Sequence, residues 1–231
     1  MSLQKPTIVL FDMDGTTVRH LNPWILSVLE KLDDAAHKMA AFFSRLFKRT
    51  IETPPLVAFD KEGKRRKLLV HRAIHKFRRK PVDQIVEPCP GIYDVLKFLR
   101  DHEIPMGIIS NGLGKGYGHD ILQTFDLEQF FEVQLFREDL NRAKPYPDPI
   151  LQALENMDVT PAADDVVWVI GDRGKDITAA MAARAHLPCT VQPIGYNLNT
   201  AVSVLLENNL GPEHIYMAWV DLLTRLRKLF R

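Results

Sequence analysis

Cysteine is nearly absent from this chain: Cys89 and Cys189 are the only two in 231 residues. They are far apart in sequence and form no Cys-x-x-Cys, which excludes a disulfide scaffold and a thiolate zinc site and fits a reducing compartment. No apolar run approaches the roughly 18 residues that a spanning helix needs. The first six residues lack the apolar stretch of a secretory signal. The expectation is a soluble, cytoplasmic protein with no membrane partner. Neither sign of charge dominates, with 30 Lys and Arg against 29 Asp and Glu and a net charge of +1. The whole chain therefore offers no field that selects an acidic partner. Repeats and low-complexity stretches are also missing. With 46% hydrophobic residues, there is enough for one sizeable core, or for a core and a smaller insert.

Regular alternation is what the sequence does contain. Residues 7–11 form a short apolar β-run. After Glu87-Pro88-Cys89-Pro90-Gly91, where two prolines argue against regular structure, strands and helices take turns. Strands are expected at 106–110, 131–136, 165–170, 190–194 and 215–218. Helices are expected at 92–100, 119–125, 149–157 (with Asp148 as N-cap), 177–184, 200–207 and 222–230. Strands alternating with helices mean a parallel sheet covered on both faces. The stretch between the first strand and residue 87 breaks the pattern. Asn22-Pro23 reads as the start of a helix, and apolar residues from Ile25 to Leu46 recur at helical spacing. Thr53-Pro54-Pro55 ends that pattern. A short strand at 56–60 and a basic helix at 68–79 follow. The expected architecture is a three-layer α/β, Rossmann-like core with a smaller, mostly helical cap domain. The core would take residues 1–18 and 87–231, and the inserted cap residues 19–86.

Charged and hydroxyl residues gather where these strands end. The first strand delivers Asp12-Met13-Asp14-Gly15-Thr16, two carboxylates at i and i+2. Carboxylates at the end of a buried strand are costly unless a cation is bound there, and that edge is where open α/β sheets hold ligands. One acid can attack and its neighbour can handle protons. A second strand ends in Ser110-Asn111-Gly112, a hydroxyl followed by free backbone amides suited to phosphoryl oxygens. Lys144-Pro145 places a cation at a fixed point. A last apolar strand ends in Gly171-Asp172-Arg173-Gly174-Lys175-Asp176. Acidic oxygens from two strand ends can share one Mg²⁺, which favours oxygen ligands.

These four places, in this order, resemble the haloacid dehalogenase (HAD) superfamily of phosphohydrolases, and specifically its phosphoglycolate-phosphatase-like group with a helical cap after the first strand. The resemblance implies an Mg²⁺-dependent phosphatase that hydrolyses a small phosphorylated metabolite through an aspartyl-phosphate. Asp12 would be the nucleophile and Asp14 the general acid and base. Ser110 and the Asn111 backbone would hold the phosphoryl group, and Lys144 would neutralise negative charge there. Asp12, the Asp14 carbonyl and Asp172 would bind the metal, and Asp176 would act through water or through Lys144. Arg173 stands where many relatives carry a smaller residue.

Two rival functions remain. A phosphomutase such as β-phosphoglucomutase would use the same four motifs. A non-enzymatic binding module would use the basic run at 61–80, where ten Lys and Arg face one acid, Glu62. That run reads as a solvated surface, as a field steering an anionic substrate, or as a contact for nucleic-acid phosphates. The last is the weakest, since Phe77 is its only aromatic residue. His71, His75 and Cys89 lack an acidic or thiolate partner at ligand spacing. Gly112, Gly114, Gly116 and Gly118 lack the Gly-Lys-Ser/Thr of a nucleotide loop and read as a flexible loop at the mouth of the site.

Overall fold

The structure, a computed structural model, describes residues 3–21 and 82–231. The helices expected at 22–52 and 68–79, the strand at 56–60, the basic run at 61–80, and His71 and His75 lie outside the described residues.

Six strands form one parallel sheet in the order β5-β4-β1-β6-β7-β8. They are β1 (Ile8–Phe11), β4 (Met106–Ile109), β5 (Val133–Leu135), β6 (Val166–Gly171), β7 (Thr190–Tyr196) and β8 (Ile215–Tyr216). Every residue of β1, β4 and β6 is buried. Such uninterrupted apolar strands suit a sheet packed on both faces. Side chains alternate between those faces. Val9, Phe11, Trp168 and Ile170 face one core with helices α1 (Ile92–Asp101), α2 (His119–Thr124) and α5 (Trp219–Leu229). Ile8, Leu10, Val167 and Val169 face the other, with α3 (Asp148–Asn156) and α4 (Gly174–Ala183). This is the expected three-layer α/β architecture.

A two-stranded antiparallel ribbon, β2 (Val18–His20) with β3 (Val86–Pro88), stands apart from the sheet. Its register pairs Val18 with Pro88 and His20 with Val86. Glu87 and Pro88 are thus strand residues, contrary to the sequence expectation. A short edge ribbon tolerates a proline, because only one ladder donor is lost. The same ribbon brings the two flanks of residues 22–81 side by side.

Two other elements differ from expectation. Helix α3 begins at Asp148, after Pro147 as its cap, and Asp148 Oδ1 instead accepts from Arg142 Nε at 2.8 Å. The span 200–207 is helical as expected but not α: a 3-10 turn at Leu198–Thr200 leads into a π-helix at Val202–Glu207. The Asn208 amide bonds Ser203 O five residues back, and Asn208 Nδ2 donates to the same carbonyl at 2.7 Å. Competition of this kind by an Asn side chain disfavours regular helix. Cys89 and Cys189 are both buried and unpaired. No helix among the described residues is long and apolar enough to cross a membrane.

Candidate active site

The site is built where β1 and β6 stop. The Asp12 amide donates to Ile170 O at 2.8 Å, and Thr17 Oγ1 donates to Asp12 O at 2.8 Å, so the backbone of Asp12 is fixed on both sides. The chain then turns on Gly15 (φ +87°), where a Cβ would stand 2.2 Å from Asp172 Oδ2. Glycine is required there twice over, by the left-handed backbone and by the approach of a second acid.

Lys144 lies at the centre. Its Nζ is 2.5 Å from Asp12 Oδ1 and 2.7 Å from Asp176 Oδ1, and it donates to Ile109 O at 2.9 Å. Asn111 holds the backbone of Lys144 in both directions. Asn111 Nδ2 donates to Lys144 O at 2.9 Å, and the Lys144 amide donates to Asn111 Oδ1 at 3.1 Å. Asp176 Oδ2 accepts from the Arg173 amide at 3.1 Å in the first turn of α4. An acid at a helix N-terminus is favoured there by the exposed amides and the macrodipole.

Burial shapes the charges. Asp12 is pushed up to about 6, because burial outweighs the pull of Lys144. Asp172 is pushed up to about 7 by burial and by the neighbouring Asp12 carboxylate. Burial also acts against the charged form of Lys144, but Asp12 and Asp176 outweigh it and hold the amine above the usual lysine range. Asp14 goes the other way. Burial works against its charge, yet hydrogen bonds from His20 and Tyr117 bring its carboxyl below the usual range.

Asp12, Asp172 and Asp176 each offer a carboxylate oxygen, and these atoms lie within 4.8 Å of one another. Asp172 Oδ1 is buried without a hydrogen bond, and Arg173 Nε lies 3.9 Å from it. An all-oxygen donor set with an unsatisfied buried carboxylate fits a hard divalent cation. Asp176 is the least free of the three, being engaged by both Lys144 and its own helix. Ser110 is buried, and its Oγ accepts from the Gly112 amide at 3.0 Å.

The structure thus brings Asp12, Asp172, Asp176 and Lys144 into one cluster, with Asp14, Ser110 and Asn111 on its rim. Sequence reasoning missed Tyr117, His20 and the side-chain role of Asn111. An Asn after a strand-end Ser reads as a turn residue. Nothing local in Gly-Lys-Gly-Tyr-Gly marks its tyrosine as part of a site. The glycine-rich loop is also tied down: Glu138 accepts from the Gly114 amide at 3.0 Å and from the Lys115 amide at 2.7 Å.

Comparison with known proteins gives the same assignment. The family model for haloacid dehalogenase-like hydrolases matches residues 9–187. The phosphoglycolate phosphatase of Shigella boydii serotype 4 is 25% identical over 203 residues, covering 88% of this chain and 76% of that protein. The pyrophosphatase PpaX of Oceanobacillus iheyensis is 28% identical over 184 residues, covering 77% and 80%. Among solved structures, a HAD-superfamily hydrolase from Ehrlichia chaffeensis superposes with a TM-score of 0.61 at 20% identity over the whole of both chains. Since the family model spans well over half of the chain, including Asp12 at one end and Asp176 at the other, the chain belongs to the haloacid dehalogenase-like hydrolases.

Proposed function

We propose that this enzyme is a phosphatase that hydrolyses a small phosphate monoester through an aspartyl-phosphate on Asp12. The observation that carries the reading is the buried Asp12 carboxylate, anchored through Oδ1 by Lys144 beside Asp172. An anchored carboxylate has one oxygen held and the other left to attack in a fixed direction. That oxygen forms a bond to phosphorus as the bond to the ester oxygen breaks. Asp14 gives a proton to the leaving alkoxide. It then takes a proton from the water that cleaves the aspartyl-phosphate, which releases inorganic phosphate and restores Asp12. In the free enzyme Asp14 favours the ionised form, and a bound phosphate dianion beside it raises its pKa by like charge. Ser110 and the amides after it receive the phosphoryl oxygens. Lys144 offsets the negative charge that gathers between nucleophile and substrate.

Mg²⁺ fits the donor set, and Asp12, Asp172 and the Asp14 carbonyl would hold it. When bound it supplies positive charge that the phosphoryl group needs and the clustered acids lack. Asp176 acts one step removed, by fixing Lys144.

The substrate is a small phosphorylated metabolite of the cytoplasm. The relatives named for phosphoglycolate and pyrophosphate suggest a phosphoryl group beside a second anionic group. Residues 19–86 form the inserted domain and the remainder the core, a division supported by the ribbon that joins the flanks of the insert. The test is phosphate release from a panel of phosphorylated acids, sugars and pyrophosphate, with and without Mg²⁺. Turnover on at least one of them that disappears with chelator supports the reading. Sugar-phosphate isomerisation without phosphate release would make the enzyme a mutase instead.

A further inference from the structure

Asp14 is held by two residues that the chemistry above does not use. Tyr117 Oη donates to Asp14 Oδ1 at 2.6 Å and lies 2.8 Å from His20 Nε2. The two rings are nearly parallel, at 14° with centroids 6.2 Å apart. A phenol has one proton, and here it goes to the carboxylate. The Tyr117 oxygen therefore accepts from His20, so that Nε2 carries the imidazole proton. The chain of donors runs His20 to Tyr117 to Asp14. His20 Nε2 is also 3.4 Å from Asp14 Oδ1.

These residues come from different parts of the molecule. His20 ends β2, while Tyr117 sits in the glycine-rich loop. That loop is tied down by hydrogen bonds: Glu138 accepts from the Gly114 and Lys115 amides, and the Gly118 amide donates to Leu113 O at 3.0 Å. The other oxygen of Asp14 faces elsewhere. At Gly112 a Cβ would stand 3.3 Å from Asp14 Oδ2 and 3.2 Å from Ser110 Oγ. Oδ2 therefore looks across a side-chain-free position toward the hydroxyl that receives the phosphoryl group.

We propose that Tyr117 and His20 are positioning residues that immobilise Asp14 through Oδ1, leaving Oδ2 as the oxygen that exchanges the proton with the leaving group and with water. The inference rests on the phosphatase reading above. A carboxylate free to rotate would present either oxygen at a range of distances, and proton transfer depends steeply on a donor held within hydrogen-bond reach.

The experiment compares two esters on wild type, Tyr117→Phe, His20→Ala and His20→Gln. The first ester is p-nitrophenyl phosphate, whose leaving group departs without a proton. The second is an alkyl phosphate, phosphoglycolate or another that wild type turns over. Tyr117→Phe keeps the ring and loses only the hydroxyl. Its kcat/KM, which reports the steps up to phosphoryl transfer and excludes the hydrolysis of the aspartyl-phosphate that both esters share, should fall at least about ten-fold more on the alkyl ester than on the aryl ester, since acid catalysis contributes about 10²–10⁴-fold. His20→Ala should show a smaller loss of the same kind. His20→Gln, which keeps a donor near the Nε2 position, should recover part of it. Equal losses of kcat/KM on both esters, or none, overturn the positioning role while leaving the phosphatase reading intact. A wild type that releases phosphate from neither ester overturns both.

Discussion

In the amino-terminal half of the sheet, Trp168 Nε1 donates to Gln4 O at 3.1 Å and to Gln192 Oε1 at 3.2 Å. Gln192 Oε1 also accepts from the Gln4 amide at 2.9 Å. Thr7 Oγ1 accepts from the Val166 amide at 3.0 Å. Beyond the other end of the sheet's strands the buried charged groups are Asp12, Lys144, Asp172 and Asp176. One end is neutral, and its polar groups are joined by ordinary hydrogen bonds that each contribute about 1 kcal/mol. The other end is charged, with carboxylates crowded about one amine and Asp172 Oδ1 without a hydrogen bond. Such a cluster costs stability, because desolvating the charges outweighs much of their attraction. Similar strands run through both ends, so the difference lies in the residues at the strand exits. On the proposed mechanism the charged end serves the reaction, while the neutral end serves the fold.

The largest effect should follow from Asp12→Asn. Removing the attacking carboxylate while keeping its shape should lower phosphate release by about three orders of magnitude or more. Thermal unfolding should change little, since Lys144 keeps Asp176 at 2.7 Å. A variant with near-normal turnover would break the assignment of the charged end to catalysis.

Next in size is Lys144→Met, which should act on stability as well as turnover. It leaves Asp12 and Asp176 buried with no amine between them, and breaking a buried ion pair from one side costs about 3–5 kcal/mol. Urea unfolding at neutral pH would show this as a lower midpoint. An unchanged midpoint would mean that the amine carries no structural share.

Much of this contrast was legible in the sequence. Uninterrupted apolar runs such as Val166 to Ile170 reveal a sheet buried on both faces, and Asp12, Ser110 and Asp172 each follow directly on such a run. Lys144 could be picked out because it belongs to the family's motif order, although no periodicity marks it. What could not be read depends on contacts between residues distant in sequence. Tyr117 meets Asp14 across 103 positions, and Asn111 braces Lys144 across 33. Helix type is also hidden: Val202 to Glu207 is helical as its composition suggests, but as a π-helix, with Asn208 Nδ2 bonded to Ser203 O at its end. Pro88 argued against a strand and lies in one, because that ribbon is short and stands outside the sheet.

A smaller effect concerns pH in metal-free protein. Burial and the neighbouring Asp12 carboxylate push Asp172 up to about 7 in the folded chain from an ordinary value of 3.8. Between those values the folded state keeps a proton that the unfolded chain has released, so stability falls as pH rises through the window. Asp12, pushed up to about 6, has the same sign. Asp14 and Glu138 are lowered instead, and their contribution is lost only as pH falls through the lower part of the scale. The comparison that isolates the charged end is therefore wild type against Asp172→Asn. The variant's Tm should decline less from about pH 4 to about pH 7, and Mg²⁺ should raise its Tm less than that of wild type. Parallel pH curves for the two proteins would remove Asp172 from the crowded cluster.

The smallest effect tests the neutral end. Gln192→Ala removes the shared acceptor of Trp168 Nε1 and the Gln4 amide. Trp168 keeps its bond to Gln4 O, so the loss falls mainly on the Gln4 amide and on packing beside a fully buried indole. Gln4 is an exposed residue, so water can take the place of the lost acceptor and the net cost should be about 0.5–1.5 kcal/mol, which a denaturant midpoint resolves. The groups proposed as catalytic stand at the far ends of the strands, on backbone held by β1 and β6 ladder bonds that this change leaves in place. The kcat for phosphate release should therefore match wild type at temperatures well below unfolding. A fall in kcat without a fall in stability would show that the two ends are coupled through β6 and β7, and the division between a neutral end for folding and a charged end for chemistry would no longer hold.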